Sequence, residues 1–341
     1  MHITFILPIR NEVTSIVDVI NSILRQTIID DFEYEIIICD GGSTDGTIEM
    51  INDHFSSNNK IYIINNPLKI VSVGFNLGLN KSKGEIIIRV DGHCKLPSKY
   101  LEKCIKNLER KDIDIAGGVI FTIANGYVGR SIAIAQSSFF GVGGVKFRNN
   151  KSSYSGYVDT LAFGAHKRQV FTDIGGYDEE LVCNQDDEFN CRAIQFGKKI
   201  WLDSTIKTNY FSRSSFIKLF LQYFNYGFYK IRVIQKRKQI LSLRHLIPAI
   251  FIFSLFALTC SSLYVENIWP IYILISPYLL ISIFSSVLIS PKLKYVPAIC
   301  LSFFILHFSY GFGFIYGMFY FIDRWNDIEL NDKHFNKFLF K

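Results

Sequence analysis

Between Leu246 and Ile322 the chain carries only three charged residues, Glu266, Lys292 and Lys294, and these separate three apolar runs, Leu246–Val265, Asn267–Ser290 and Tyr295–Ile322. Each run reaches the roughly 20 residues a helix needs to cross ~30 Å of hydrocarbon. A helix on the core of a soluble protein keeps a polar face toward water, and these runs have none. They predict a transmembrane region over residues 246–322 with about three helices. The third run holds Gly311, Gly313 and Gly317 and is long enough to tilt or break.

The flanks agree with a membrane reading. Phe216–Lys238 contains Lys218, Lys230, Arg232, Lys236, Arg237 and Lys238 with no acid, and the first loop between runs contains Glu266 with no Lys or Arg. That asymmetry predicts that the residues before the first span lie on the cytoplasmic face of the cell (inner) membrane. The apolar stretch Ile3–Ile9 is short, contains Pro8 and runs into Arg10, Asn11 and Glu12, so it does not read as a signal peptide. Much of the +7 formal charge sits beside the spans, which points to anionic lipid or a lipid phosphate and away from nucleic acid. The seven cysteines are odd in number and form no Cys-x-x-Cys pair, so reduced, structural thiols are expected.

Before the spans, strand-like runs at Ile3–Leu7, Glu35–Cys39, Ile61–Ile64 and Glu85–Val90 alternate with helix-like segments beginning near Asn11, Thr44, Val71 and Ser98. This alternation predicts an α/β domain over residues 1–210, a Rossmann-like, doubly wound and mostly parallel sheet. Ile16, Val19, Ile20, Ile23 and Leu24 form a helical stripe, with Asn11 placed as its cap. Asp114–Tyr210 mixes strands with glycine-rich turns, a texture that more often covers a site than builds a core. Residues 211–245 form a basic juxtamembrane segment, in which Phe216–Ile234 reads as an interfacial amphipathic helix. It serves as an anchor or contacts substrate, and both readings stand. Residues 323–341 are a polar tail.

The chemistry gathers where strands end, because ligands of open α/β sheets bind in the crevice at the carboxyl edge. Asn11 and Glu12 follow the first strand; a cap explains Asn11 but does not require Glu12, which is able to accept hydrogen bonds from a ribose or base. Asp40 ends the second strand and opens Asp40-Gly-Gly-Ser-Thr-Asp-Gly46, a turn and helix start that is ordinary by itself. Asp91-Gly-His93 follows the fourth strand. One carboxylate and one imidazole leave several positions on a Mg²⁺ or Mn²⁺ ion for diphosphate oxygens and water; the plain alternative is a turn aspartate and a surface histidine. Asn184-Gln-Asp-Asp-Glu188 puts carboxylates at a helix start, where Asp186 or Asp187 is available as a general base, or where the helix dipole alone favours acids.

Taken in order, Pro8-Ile-Arg-Asn-Glu12, Asp40-Gly-Gly-Ser-Thr-Asp-Gly-Thr47, Ile88-Arg-Val-Asp-Gly-His93, Ala135-Gln-Ser-Ser138, Gly156-Tyr-Val-Asp-Thr160, Gly175-Gly-Tyr-Asp-Glu179, Asn184-Gln-Asp-Asp-Glu188, Arg213-Ser-Ser215 and Gln222-Tyr-Phe-Asn-Tyr-Gly227 form a highly specific series. The series resembles family 2 glycosyltransferases of the GT-A fold, most closely the subgroup with the succinoglycan-type exopolysaccharide glucosyltransferases. The resemblance implies a nucleotide site around Pro8, Asn11, Glu12, Asp40, Asp45, Gly74, Asn76 and Asp91. It implies metal ligands Asp91 and His93, with His in place of the second Asp of the family's Asp-x-Asp.

Asp186 matches the family's catalytic base. Gln185 replaces the usual Glu beside it, which removes a like charge and so acts to lower the base's pKa. Gly164, Ala165, Gln185, Arg213, Gln222 and Tyr226 are implied on the acceptor side. Asn225-Tyr226 stands where processive synthases carry Arg-Trp, which argues against processive polymerisation. The implied activity is metal-dependent, inverting transfer of a hexose from a nucleotide sugar, UDP-hexose first, to a polyprenyl-linked saccharide at the bilayer. A transferase making a polyprenyl-phosphate monosaccharide is the alternative within the class, and a non-catalytic membrane scaffold the alternative outside it. A transporter is disfavoured, since His307 is the one His, Asp, Glu, Lys or Arg inside the three runs.

Overall fold

The computed structural model describes residues 1–149, 153–211, 214–239 and 242–326. In chain order the strands are β1 (His2–Ile9), β2 (Glu33–Asp40), β3 (Ile61–Asn65), β4 (Ile86–Arg89), β5 (Cys94–Lys95), β6 (Ile115–Ile123), β7 (Gly156–Tyr157), β8 (Ala165–Lys167) and β9 (Ile200–Phe211). The helices are α1 (Ile16–Leu24), α2 (Thr47–Phe55), α3 (Val71–Lys81), α4 (Tyr100–Leu108), α5 (Gly126–Gln136), α6 (Phe139–Val142), α7 (Arg168–Ile174), α8 (Gln185–Gln195), α9 (Phe216–Arg237), α10 (Ile247–Tyr264), α11 (Trp269–Ile289) and α12 (Val296–Tyr320). They form two units: residues 1–121 with 153–210, and residues 122–149 with 214–326.

The first unit is built on a nine-stranded sheet of order β3-β2-β1-β4-β8-β6-β9-β5, with β7 paired to β9. Ile3, Phe5, Ile6 and Leu7 of β1 and Ile36 and Ile38 of β2 are fully buried, as strands covered on both faces require. In the parallel register Ile9 lies opposite Asp40 and Ile6 opposite Arg89. The residues that follow β1, β2 and β4 therefore leave the sheet at one edge. Strands β3, β2, β1 and β4 pair in parallel; β8 runs antiparallel to β4 and β6, and β9 to β5 and β7. The sheet is thus mixed, a parallel part of the expected doubly wound kind extended by antiparallel strands from β8 onward. The stripe of α1 is buried as predicted at Ile16, Val19, Ile20 and Ile23, but the helix begins at Ile16 and Asn11 does not cap it.

The second unit collects α5, α6 and α9–α12. Ile132 and Ala135 of α5, Leu219 and Tyr223 of α9, and Ile299, Phe303 and Leu306 of α12 form one buried cluster. Residues 122–149 thus pack with the apolar helices, although they fall within the stretch 1–210 read as one domain. Three helices are long and apolar enough to cross a membrane, Leu243–Tyr264, Trp269–Ile289 and Leu293–Tyr320, with mean hydropathies of 2.1, 2.1 and 1.8.

Helix α9 spans the predicted segment, and much of its apolar stripe packs against α12. Tyr223 and Ile231 are buried, while Ile217 and Leu221 stay exposed. The two helices meet backbone to backbone. A Cβ on Gly227 would overlap the Tyr310 carbonyl, one on Gly313 the Phe224 carbonyl, and one on Gly317 would lie 2.6 Å from the Phe228 carbonyl. Glycine at these positions permits the approach.

Candidate active site

The crevice edge of the first unit begins with two loops laced together. Asn11 adopts a left-handed φ of 58°, which its short amide side chain tolerates. Its Oδ1 accepts the Thr44 amide at 2.9 Å and its own amide donates to Ser43 Oγ at 2.9 Å. The Glu12 amide donates to Thr47 Oγ1 at 2.9 Å and the Val13 amide to Asp45 Oδ2 at 3.1 Å. Asp40 accepts from the amides of Gly42 and Ser43 and from the Ser43 hydroxyl, the last at 2.6 Å. Asp45 is exposed, and the Thr47 hydroxyl, helped by the amides of Val13 and Thr47, holds its carboxyl below the usual aspartate range.

Pro8 is buried within β1. Gly74 is buried in α3, where a Cβ would sit 2.8 Å from Asn66 Nδ2 and 3.4 Å from the β-carbons of Pro8 and Cys39. Asn76 is fully buried. Its Nδ2 donates to the Tyr177 carbonyl at 2.8 Å and to Glu179 at 2.9 Å, and its Oδ1 accepts the Tyr177 amide at 2.8 Å. Gly74 and Asn76 shape the wall on which Pro8 and Tyr177 rest.

At the tip of β4, Arg89 turns a run of isoleucines into an electrostatic centre. Its Nε and Nη2 both bond Asp91 Oδ1 at 2.9 Å, and its side chain is only 9% exposed. The guanidinium lies 5.5 Å from the ring of Tyr177, which stacks on Phe75. Burial alone favours loss of its proton, but the carboxylates of Asp91 and Asp186 oppose this and hold the guanidinium protonated. Two residues beyond Asp91, His93 Nδ1 pairs with Glu12 Oε1 at 2.8 Å. Carboxylate pairing of this kind favours the proton on Nδ1 and the lone pair on Nε2, the form in which histidine ligates cations. Gly92 is needed between them, since a Cβ there would lie 2.6 Å from Glu12 Cγ.

Asp186 sits in the first turn of α8 and accepts the amide of Asp187 at 2.9 Å through Oδ1. It is half-buried, and desolvation by the surrounding protein raises its pKa above the aspartate value of 3.8; Arg89 opposes the rise while Asp187 and Asp91 add to it. Burial and the charge of Asp187 thus outweigh whatever Gln185 removes. Glu188 has a different role from its neighbours. Fully buried, it bonds the guanidinium of Arg192 at 3.0 and 2.9 Å, and Arg192 also donates to the carbonyls of Ile174 and Gly176. This ion pair ties the start of α8 to the turn after α7.

On the side assigned to the acceptor, Gly164 and Ala165 are buried, with Ala165 opposite Ile88 of β4. Gln185 is 6% exposed and its Oε1 has no hydrogen-bond partner among the described residues. Gln222 and Tyr226 belong to the second unit, where Gln222 Nε2 donates to the Tyr226 hydroxyl at 2.9 Å. Arg213 lies outside the described residues. Arg89, Tyr177 and Arg192 carry no role in the sequence reading. For Arg89 the available signal was a single cation inside an otherwise apolar four-residue strand.

Among the described residues no three His, Cys, Asp or Glu side chains gather to hold a metal by themselves. Asp91 and His93 supply one carboxylate and one imidazole. That donor set fits a cation completed by diphosphate oxygens, the arrangement Mg²⁺ favours, and does not fit a closed all-protein site.

Residues 4–173 match the sequence profile described as glycosyl transferase family 2. The succinoglycan biosynthesis protein ExoA of Rhizobium meliloti (strain 1021) is 29% identical over 219 residues, 62% of this chain and 64% of that protein's length. A Methanococcus voltae enzyme, dolichyl N-acetyl-alpha-D-glucosaminyl phosphate 3-beta-D-2,3-diacetamido-2,3-dideoxy-beta-D-glucuronosyltransferase, is 27% identical over 295 residues, 84% of this chain and 87% of the enzyme. Among solved structures, the mannosyltransferase PcManGT from Pyrobaculum calidifontis in complex with GDP-Man and Mn²⁺ superposes with a TM-score of 0.60 at 14% identity, covering 91% of this chain and 86% of that one. That likeness is one of fold.

Proposed function

Since this chain belongs to glycosyl transferase family 2 and has the GT-A fold, we propose that it is a membrane-anchored, inverting hexosyltransferase. It moves a sugar from a nucleotide donor, a UDP-hexose, to a hydroxyl of a polyprenyl-linked saccharide in exopolysaccharide or cell-surface glycan synthesis. The observation that carries this reading is the shared electrostatic centre: Arg89 clamps Asp91 and also interacts with Asp186. That coupling supports reading Asp91 as a strand-tip acid suited to a diphosphate and Asp186 as an acid suited to proton abstraction in the same reaction. Relatives named for succinoglycan biosynthesis and for transfer to a dolichyl-linked sugar phosphate support the choice of glycan and of lipid-linked acceptor. The three apolar helices support anchoring at the bilayer.

Asp186 takes the proton of the acceptor hydroxyl, and its raised pKa makes it a stronger base than an exposed aspartate. The hydroxyl oxygen attacks the anomeric carbon, the bond to the nucleoside diphosphate breaks on the opposite side, and the single displacement inverts configuration. Asp40, Asn11, Glu12 and Asp45 hold the nucleotide from loops fixed by the bonds described above. Asp91 and His93 hold the divalent cation, which when bound supplies charge neutralisation to the departing diphosphate. His93 is oriented by Glu12, and Arg89 keeps Asp91 in place.

The test is incubation of membranes containing the full chain with a panel of labelled nucleotide sugars, with and without chelator, followed by extraction of lipid. Label in a lipid-linked oligosaccharide, lost with chelator and lost in Asp186→Asn, supports the proposal. A labelled polyprenyl-phosphate monosaccharide moves the activity to the other acceptor. No label from any donor, with polysaccharide output unchanged in an Asp91→Ala strain, favours a scaffold and overturns the proposal.

A further inference from the structure

The second unit encloses a cavity of about 200 Å³ between the turn after α6, helix α9, the start of α10 and α12. An apolar cavity of ~150 Å³ takes one benzene, so this space holds a phosphate and the first carbons of a chain, with the rest of a lipid lying outside it. Arg148 and Arg244 line it, and no Asp or Glu does among the described residues. Arg244 is seated and not swinging free: its stem lies across Gly143, where a Cβ would come within 2.9 Å of Arg244 Cβ and where φ is 67°. Arg148 lies within electrostatic reach of Tyr223, whose hydroxyl oxygen accepts Gln136 Nε2 at 3.4 Å and keeps its own proton to donate. Val142, Val145, Ile247, Pro248 and Leu306 give the cavity an apolar wall, and His245, Tyr226 and Tyr310 add polar groups to its lining. His307 Nε2 donates to the Phe140 carbonyl at 2.8 Å, and its Nδ1 lies 3.1 Å from the Tyr278 hydroxyl.

Two guanidinium groups, an aliphatic wall and the head of a helix long enough to cross a bilayer complement one kind of molecule, a phosphate ester on an apolar chain. We propose that this cavity binds the phosphate-bearing end of a polyprenyl carrier. Arg148 and Arg244 take the phosphate oxygens, and Leu306, Ile247 and Pro248 take the first isoprene unit. The single chain of a polyprenyl suits a cavity this narrow, whereas a diacyl phospholipid brings two chains at its head. Tyr226, assigned to the acceptor side from sequence, lines the same cavity. The inference deepens the lipid-linked acceptor reading and rests on it.

The experiment is equilibrium binding of farnesyl diphosphate to the full chain in detergent micelles, with uridine diphosphate binding as a check on the first unit. The expected result is that Arg148→Ala and Arg244→Ala each weaken farnesyl diphosphate about 10-fold. Arg244→Lys recovers part of the loss. Ile247→Trp, at a residue 62% exposed and so tolerant of size, also weakens it by narrowing the mouth, while uridine diphosphate binds each variant as it binds the parent. Farnesol and inorganic diphosphate, each lacking half of the probe, compete less well than farnesyl diphosphate. The proposal is overturned if the parent does not bind the probe, if the double arginine variant binds it equally, or if phosphatidylglycerol displaces it at equal concentration. The transfer assay separates the two readings. Probe binding lost in the arginine variants, with no transfer by the parent, leaves this site standing and removes the acceptor reading; transfer undiminished in the variants removes this site alone.

Discussion

Two groups of carboxylates in the first unit are held in opposite ways. Asp40 and Asp45 sit in turns and are satisfied by amides and hydroxyls, several of them within three residues. Asp91 and Asp186 depend on Arg89, and the helix carrying Asp186 depends on the fully buried Arg192–Glu188 pair. Turn-held acids present fixed oxygens and suit the recognition of ribose or base, and at Asp45 the Thr47 hydroxyl favours the ionised form. Burial makes the Asp186 anion unfavourable, which is the condition a general base requires.

The contrast is tested most severely at Asp186. Replacement by Asn is expected to lower transfer about 10²–10⁴-fold with nucleotide binding retained; a loss below about tenfold breaks the assignment. Stability provides a second reading. The folded-state pKa of Asp186 lies above its unfolded value, so its contribution is most favourable below the unfolded pKa and is lost as pH rises through the folded one. At neutral pH the ionised side chain is a liability, and Asp186→Asn should melt at the same or a higher temperature than the parent.

Arg192→Ala comes next, because it strands Glu188 as a buried lone charge. About 3–5 kcal/mol of destabilisation is expected in thermal or denaturant unfolding, and removing Glu188 as well should restore part of it. The pH profile sharpens the comparison further. The acid limb of kcat/KM should lie above the ordinary aspartate value of 3.8, and Arg89→Met should move it higher by deleting the cation that opposes the rise. An acid limb unchanged in Arg89→Met would separate Asp186 from that centre. The smallest effect belongs to the turns. Thr47→Val removes the acceptor of the Glu12 amide and is expected to cost about 1 kcal/mol, seen as a modest drop in melting temperature with a small rise in donor KM.

The same contrast explains what the sequence reveals. Asp40, Asp91 and the apolar runs are legible because a strand's buried stretch and a helix's length leave periodic or uninterrupted traces. Asn11 reads as a cap since caps are local, yet its side chain serves Thr44 across a loop. Arg89 is hidden because no spacing announces that one cation answers both a neighbour and an acid from the far end of the domain. The stripe of α9 is visible, but an apolar stripe looks the same whether lipid or α12 covers it. Likewise Ile132 and Ala135 give no sign that α5 packs with the apolar helices.

The glycines of α12 carry a consequence for biosynthesis. Helix α9 is translated before α10, α11 and α12, yet the surface that receives its backbone is the row of Gly313 and Gly317, made last of the four. Until that row has left the ribosome, α9 waits with its seam bare, and a nascent chain arrested after α11 offers quality-control proteases an unfinished protein.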